Sequence, residues 1–189
     1  MSPEAARLRR ELNDTLLTWR SWTALFRDDE DVFQLLYREA PLLAGLLQYV
    51  LKREATAGLA RLLGRESSAG QRNLVLMALL SEASGFHDTI PPRERHLFKK
   101  QLECIRKFCE PAIRYRHKRL SHLDWSSARV AFDESFTDLE FDLAIVALHT
   151  WFDSILLRAG ITPPLVPREH DALAAELCNV LQRSRSWQP

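Results

Sequence analysis

The chain has 189 residues, of which 46% are hydrophobic and 27% are charged, and its net charge is +1. This composition excludes an intrinsically disordered chain, and the 6 glycines and 9 prolines exclude a collagen-like or low-complexity one. The near-neutral total argues against a uniformly basic nucleic-acid binder, although it does not describe how charge is distributed locally. The length predicts one domain that spans residues 1–189.

Helical spacing of apolar residues recurs along most of the chain and predicts an all-α fold. The predicted helices of the N-terminal half run from Pro3 to Trp22 or Phe26, from Asp31 to Arg38, from Pro41 to Gly64 and from Gln71 to Ser84. Pro3 and Pro41 suit the first turn of a helix, where no amide donor is needed. Gly85 is predicted to end the fourth helix in the left-handed conformation.

The longest helical pattern runs from about Thr89 to Ser121. Pro111 lies inside it and predicts a kink or a restart, because proline cannot donate a hydrogen bond to the carbonyl of Lys107. The next segment, from Leu123 to Ser135, breaks the helical pattern. A short extended piece is expected within that segment, from Arg129 to Phe132.

The last third of the chain predicts two more helices. Thr137-x-x-Glu140 is a capping box that opens a strongly apolar helix through Leu157, and Gly160 follows as its stop. A final helix is expected over residues 168–183. Together the elements predict a single-domain, all-α bundle of about six to seven helices.

The cysteines and the start of the chain bear on location and on metals. Three cysteines, Cys104, Cys109 and Cys178, favour reduced thiols inside the cell over a disulfide framework. Cys104 and Cys109 lie five apart, which matches no zinc-binding pattern, so neither a metal nor another cofactor is expected. The chain begins without the apolar run of a signal peptide, and no apolar run approaches the ~20 residues that span a bilayer. A cytoplasmic protein that does not bind membranes is therefore expected.

Charge is separated along the chain. Residues 93–122 contain ten Lys or Arg residues and three acidic residues, a net charge of +7. Residues 123–142 contain one Arg and six acidic residues, a net charge of −5. A helix with such an excess of cations is a candidate surface for the phosphates of a nucleic acid. The alternative is a solvated helix face whose charge is offset by the acidic segment beside it.

The densest group of candidate residues is the segment Ile113 to Trp125, which reads IRYRHKRLSHLDW. Its two imidazoles, His117 and His122, are the side chains best suited to exchange protons near pH 7. Neighbouring cations suit a phosphodiester whose negative charge grows under attack by the ribose 2′-hydroxyl. The further candidate substrate-binding residues in this segment are Arg114, Lys118, Arg119 and Asp124. The pattern indicates RNA cleavage without a metal ion.

The segment Arg116-His-Lys-Arg-Leu-Ser-His122 resembles the signature of the HEPN superfamily (higher-eukaryote and prokaryote nucleotide-binding domains), in which a histidine follows an arginine after four to six residues. The superfamily consists of small α-helical bundles. The wider frame, residues 116–124, is similar to the R-x-K-x-x-A-H-x-D pattern of the AbiU-like abortive-infection branch, with Ser121 in place of the usual alanine. The Trp22-x-x-x-Phe26 element and the segment Leu59 to Leu80 also resemble that branch.

The resemblance implies a metal-independent endoribonuclease that acts as a toxin or in antiphage defence. Arg116 would stabilise the scissile phosphate, and His122 would be the general acid and base. His117 occupies a position where the family has Asn, Asp or His, and it would position the helix turn or the substrate. Because HEPN enzymes pair their motifs across a two-fold axis, the expected partners are RNA, a second copy of the chain and a cognate antitoxin.

Several alternatives stay open at this stage. Arg116 and His122 lie about 120° apart on an ideal helix. They converge only if the helix loosens near Leu120 or if the long Arg116 side chain reaches around it. Arg119 is an alternative phosphate contact. A catalytically inactive HEPN-fold module that binds a nucleotide, RNA or a partner protein is the second hypothesis. A DNA-binding regulator is the third, although no helix-turn-helix signal is apparent.

The apolar helix that the capping box opens supplies candidate interface residues. His149 and Trp151 lie within it and are expected in the core or in a dimer interface. Trp19, Trp22 and Phe26 follow helical spacing and are expected in the core.

Overall fold

In a computed structural model, the structure describes residues 2–65, 67–68, 71–82, 84–115 and 136–163, with the backbone alone at 67–68 and 71–72. The α-helices of this part are α1 (Pro3–Phe26), α2 (Glu30–Glu39), α3 (Pro41–Leu62), α4 (Pro92–Phe108), α5 (Glu110–Tyr115) and α6 (Asp138–Arg158). A two-residue antiparallel hairpin, β1 (Ser67–Ser68) and β2 (Gln71–Arg72), and a 3-10 helix, Leu76–Leu80, lie between α3 and α4. The all-α prediction is confirmed. No helix of this part is both long and apolar enough to cross a membrane.

Helices α1 and α3 begin at the predicted residues, and α2 begins one residue before the predicted Asp31. The Ser2 hydroxyl accepts a hydrogen bond from the Ala5 amide at 3.3 Å as α1 begins. The Asp29 carboxylate caps α2 by accepting from the amides of Asp31 and Val32 at 3.0 and 3.1 Å. These caps satisfy amides that have no partner within the helix, so short-range sequence signals suffice to locate the helix starts.

The predicted helix from Gln71 to Ser84 is wrong. Gln71 belongs to β2, and among the described residues of this segment the helical ones are those of the 3-10 helix, Leu76–Leu80. The Asn73 side chain donates to the Arg65 carbonyl at 2.9 Å, a bond that competes with helix formation. The backbone is extended at Val75, where the 3-10 helix begins, and Val75 and Leu76 are both buried. Tertiary burial therefore outweighs the helical spacing of this segment.

The predicted left-handed end at Gly85 is also wrong. Among the glycines of the described residues, only Gly160 has a positive φ, at 72°. At Gly160 the chain turns back after α6, and the Ile161 amide donates to the Leu156 carbonyl at 2.9 Å.

The break predicted at Pro111 is confirmed. Helix α4 ends at Phe108, Cys109 caps it by donating its amide to the Ile105 carbonyl at 2.9 Å, and α5 begins at Glu110. The capping box is also confirmed: the Thr137 hydroxyl accepts from the Glu140 amide at 3.2 Å, and the Glu140 carboxylate accepts from the Thr137 amide at 2.6 Å. The expected pieces at 129–132 and 168–183 lie outside the described residues.

By contacts, residues 2–13 and 56–163 of the described chain form one compact unit, and residues 14–55 form another. In the first unit α4 packs against α6 and against the 3-10 helix. The Trp151 indole donates to the Phe98 carbonyl at 2.9 Å, and the two rings meet edge to face. Trp151 is buried, as expected for a core residue, whereas His149 is half-buried.

Stacked tryptophans form the core of the second unit. The rings of Trp19 and Trp22 stack with their centroids 4.9 Å apart, and the Lys52 ammonium lies 4.6 Å from the Trp22 centroid. Trp19, Trp22 and Phe26 are all buried, which confirms that they are core residues.

A buried cation joins α1 to α6 within the first unit. The Arg9 guanidinium is only 3% exposed, and it forms an ion pair with Asp153, whose side chain is 35% exposed. It also lies 5.6 Å from the Phe152 ring centroid. A buried charge needs such compensation because its transfer from water is costly.

We expect Asp153→Ala to destabilise the protein by about 2 kcal/mol, below the ~3–5 kcal/mol of a fully buried pair because water reaches Asp153. The melting temperature should fall by roughly 4–8 °C in differential scanning calorimetry. As a control, Arg9→Met combined with Asp153→Ala should lose less than the sum of the two single changes. Strictly additive losses would show that the pair does not couple.

Candidate nucleic-acid interface

The predicted site residues divide into one that the structure describes and six that it does not. Arg114 is exposed on α5. The candidates outside the described residues are Arg116, His117, Lys118, Arg119, His122 and Asp124. The interface described below is therefore the surface that leads up to these residues along the chain.

Helix α4 carries three cations and one acidic residue of this surface on one stripe. Lys99, Glu103, Arg106 and Lys107 are spaced by four, three and one residues, so they lie within roughly 100° of one another around the helix. All four are exposed. Other charges of α4 are used locally: the Arg95 guanidinium donates to the His87 carbonyl at 2.7 Å. The stripe is thus left facing solvent.

Two adjoining cavities along this stripe form what we call the α4 groove. Their volumes are about 470 and 390 Å³, and they share four lining residues, Gly64, Arg65, Glu103 and Arg106. The larger cavity also contacts the 3-10 helix, and the smaller one extends to α5. Both volumes fall within the ~300–1,000 Å³ that is typical of small-ligand sites.

The two cavities differ in chemistry. The lining of the larger one combines four apolar residues with charged ones: Leu62, Leu63, Met77 and Leu102 with Arg65, Lys99, Glu103 and Arg106. The smaller one is lined by Lys107, Glu110 and Arg114, with Ile113 as its apolar residue. Charged residues therefore line both cavities, and the larger cavity has more apolar residues than the smaller one.

Arg106 occupies the junction of the two cavities in a fixed position. Its Nε donates to the Leu63 carbonyl at 3.1 Å. That carbonyl follows the last residue of α3, where the negative end of the helix dipole favours a cation. Because a hydrogen bond already orients this guanidinium, less side-chain entropy is lost when its other N–H groups bind an anion.

The charge of the groove is positive on balance. Arg65, Lys99, Arg106, Lys107 and Arg114 line it, against Glu103 and Glu110. In the described part of the chain, Arg106, Lys107 and Arg114 form no ion pair with a carboxylate. The cations thus keep their attraction for a phosphate chain, reduced but not cancelled by the two carboxylates.

The described lining residues include no histidine. No group of three or more His, Cys, Asp or Glu that could hold a metal ion lies within the described ranges either. The cations of the described surface can bind and orient an anion.

Sequence reasoning found only part of the groove. It singled out the cations of residues 93–122, and Arg114 by number, because charge density is visible locally. It missed Arg65 and Met77, which come from other parts of the chain and reach α4 only through folding. The fold and groove define an α-helical protein with a cationic surface groove. Comparisons with protein-family models, with curated proteins and with solved structures return no match for this chain.

Cys109 lies between α4 and α5 and is fully buried, whereas Cys104 is exposed. Burial raises the pKa of the Cys109 thiol to about 12, because the thiolate would lose its hydration. The raised pKa keeps the thiol neutral near pH 7, which excludes Cys109 as a nucleophile. The stability that this neutral thiol contributes is complete below the unfolded pKa of roughly 8.5 and is lost as the pH rises toward 12.

We expect iodoacetamide at pH 8 to modify Cys104 at least ~100-fold faster than Cys109 in the folded protein, because the reagent needs an accessible thiolate. Peptide mass mapping at successive times measures both rates. In denaturant the two rates should become similar, which serves as the control. Equal rates in the folded protein would contradict the burial of Cys109.

Proposed function

We propose that this protein is a metal-independent endoribonuclease of the HEPN type that acts in the cytoplasm as a toxin or in antiphage defence. RNA is the proposed substrate, and a cognate antitoxin is the proposed partner in the toxin case. Arg116 and His122 are the proposed catalytic residues, with His117, Lys118, Arg119, Arg114 and Asp124 binding substrate. The proposal combines the motif with one structural observation, the α4 groove.

The observation that carries the proposal is the position of the groove beside the helix that precedes the motif in the sequence. The smaller cavity is lined by Ile113 and Arg114 of α5, and α5 is described as far as Tyr115. Arg116 follows Tyr115 directly in the sequence. A phosphate chain bound along the groove would therefore contact the residues that immediately precede the motif.

The proposed reaction needs only the substrate and side chains. The ribose 2′-oxygen attacks the adjacent phosphorus while an imidazole, His122, takes the hydroxyl proton. The bond from phosphorus to the 5′-oxygen breaks, and that oxygen receives a proton, which leaves a 2′,3′-cyclic phosphate and a 5′-hydroxyl. Arg116 stabilises the additional negative charge on the phosphoryl oxygens. Two copies of His122, one from each subunit, would supply the base and the acid.

A homodimer is supported by an exposed apolar stripe on α6. Leu139, Leu143, Val146 and Leu157 are each more than half exposed. Their spacing places them within roughly 60° of one another around the helix, on the side away from the buried Leu148 and Phe152. Leu139, Leu143 and Val146 lie within two helical turns, whereas Thr150 and Ser154 separate them from Leu157. An exposed apolar cluster of this kind is typical of subunit interfaces, because a second apolar surface would remove it from water.

Purified protein in EDTA should cleave a single-stranded RNA and leave 2′,3′-cyclic phosphate ends, as measured by gel electrophoresis and mass spectrometry. His122→Ala should lower the rate by roughly 10²–10⁴-fold and Arg116→Ala by roughly 10²–10³-fold. His96→Ala is the matched control, since His96 is exposed on α4 and lines neither cavity.

Two outcomes would overturn the proposal. Equal rates for wild type and His122→Ala would show that any cleavage comes from elsewhere. RNA that binds but stays intact would favour the catalytically inactive module instead.

Sedimentation equilibrium should give twice the chain mass of 21.8 kDa for the wild type. Leu143→Glu combined with Val146→Glu should raise the dissociation constant at least ~10-fold, because two carboxylates would lose water in the interface. Leu42→Glu, an equally drastic change at an exposed position of α3, is the control and should leave the dimer intact. Loss of the dimer in Leu42→Glu alone would place the interface elsewhere.

A further inference from the structure

Two phenylalanine rings pack together where α6 begins. Phe136 directly precedes Thr137, the N-cap of α6, and its ring meets the Phe141 ring edge to face with the centroids 6.0 Å apart. Phe141 is the fourth residue of the helix. A hydrophobic residue before the cap that packs on the fourth helical residue is a hydrophobic staple, which fixes the angle at which the chain enters a helix. The staple therefore adds to the capping box at the same helix start.

Phe108, the last residue of α4, extends this staple across the fold. Its ring meets the Phe136 ring edge to face, with the centroids 5.9 Å apart. Phe141 is only 2% exposed and belongs to the core, whereas Phe108 is 42% exposed. Much of the Phe108 ring is thus in contact with solvent, so its contribution to the core is small. Its contact with Phe136 joins the end of one helix to the start of another.

The Phe108–Phe136 contact lies at one boundary of the segment that contains the proposed catalytic residues. Residues 116–135, which include Arg116 and His122, are flanked by Tyr115 and Phe136. Tyr115 is buried at the end of α5, and Phe136 packs on the end of α4. A segment held at both ends has fewer conformations than one held at a single end, so less entropy is lost when its side chains adopt one geometry.

We propose that Phe108 is a positioning residue for Arg116 and His122, because its ring holds Phe136 and thereby fixes the C-terminal end of residues 116–135 against α4. The inference rests on the proposed function for the reaction, and it adds a residue outside the motif on which the rate depends. Phe108 lines neither cavity of the α4 groove. Its removal should therefore slow catalysis and leave RNA binding nearly unchanged.

The first test measures RNA cleavage by the full-length protein in EDTA. Phe108→Ala should lower kcat at least ~10-fold and change KM less than ~3-fold, because a misplacement of about 1 Å can cost roughly 100-fold in rate. Phe108→Tyr keeps the ring and should restore kcat to within about 2-fold of the wild type. The melting temperature of Phe108→Ala should stay within about 4 °C of the wild type, because the ring is only partly buried.

Leu97→Ala is the matched control for the loss of an exposed apolar side chain from α4. Leu97 is 58% exposed, and it precedes Phe108 by about three helical turns on the same side of the helix. This change should leave kcat and KM as they are in the wild type.

A second measurement needs no RNA. Trypsin cleaves after Arg129, which is the basic residue of the segment nearest to Phe136 in the sequence. Timed peptide mass mapping should show this cleavage at least ~5-fold faster in Phe108→Ala, because proteolysis depends on how often the cleavage site is accessible. Phe108→Tyr and Leu97→Ala should be cleaved at the wild-type rate.

Unchanged trypsin cleavage in Phe108→Ala, or RNA cleavage by Phe108→Ala at the wild-type kcat, would overturn the inference. So would a defect that Phe108→Tyr does not restore or that Leu97→Ala shares. Sedimentation equilibrium should give the same mass for Phe108→Ala and the wild type, and a lower mass would instead assign the ring to the subunit interface. If Phe108→Ala accelerates trypsin cleavage as expected but the wild-type protein does not cleave RNA, the proposed function alone is contradicted.

Discussion

The packing of α6 against α4 determines which face of α4 remains in contact with solvent. Trp151 of α6 donates to the Phe98 carbonyl and packs edge to face on the Phe98 ring. Phe98 and Leu102 are consequently buried. The helical repeat then places Lys99, Arg106 and their neighbours on the adjoining face, so the cationic stripe follows directly from burial of the apolar one.

The end of α3 turns that stripe into a groove. The Arg106 guanidinium caps the end of α3 through the Leu63 carbonyl, and Arg65 lies two residues further along the chain. The 3-10 helix adds Met77 on the other side. Three segments that are distant in sequence thus form two adjoining cavities. Each of the three segments buries an apolar residue, Leu62, Leu76 or Leu102, and α4 packs directly against the 3-10 helix.

Local signals in the sequence located most of the helices correctly. Pro3 and Pro41 occupy first turns, Thr137 and Glu140 form a capping box, and Pro111 ends α4 early. Each of these effects acts within about four residues, so it does not depend on the rest of the fold. The same reasoning failed for the segment 71–84. The hydrogen bond of the Asn73 side chain and the burial of Val75 and Leu76 depend on residues outside that segment.

The sequence by itself determined the all-α class, the helix boundaries that caps and prolines specify, and the concentration of cations that precedes Arg116 and His122. A net charge of +1 conceals that concentration because an acidic segment follows it. Only the tertiary structure decided which cations share a surface, and that Arg65 and Met77 belong with them. The physical reason is that charge density and capping are local properties, whereas a cavity exists only where separate segments pack together.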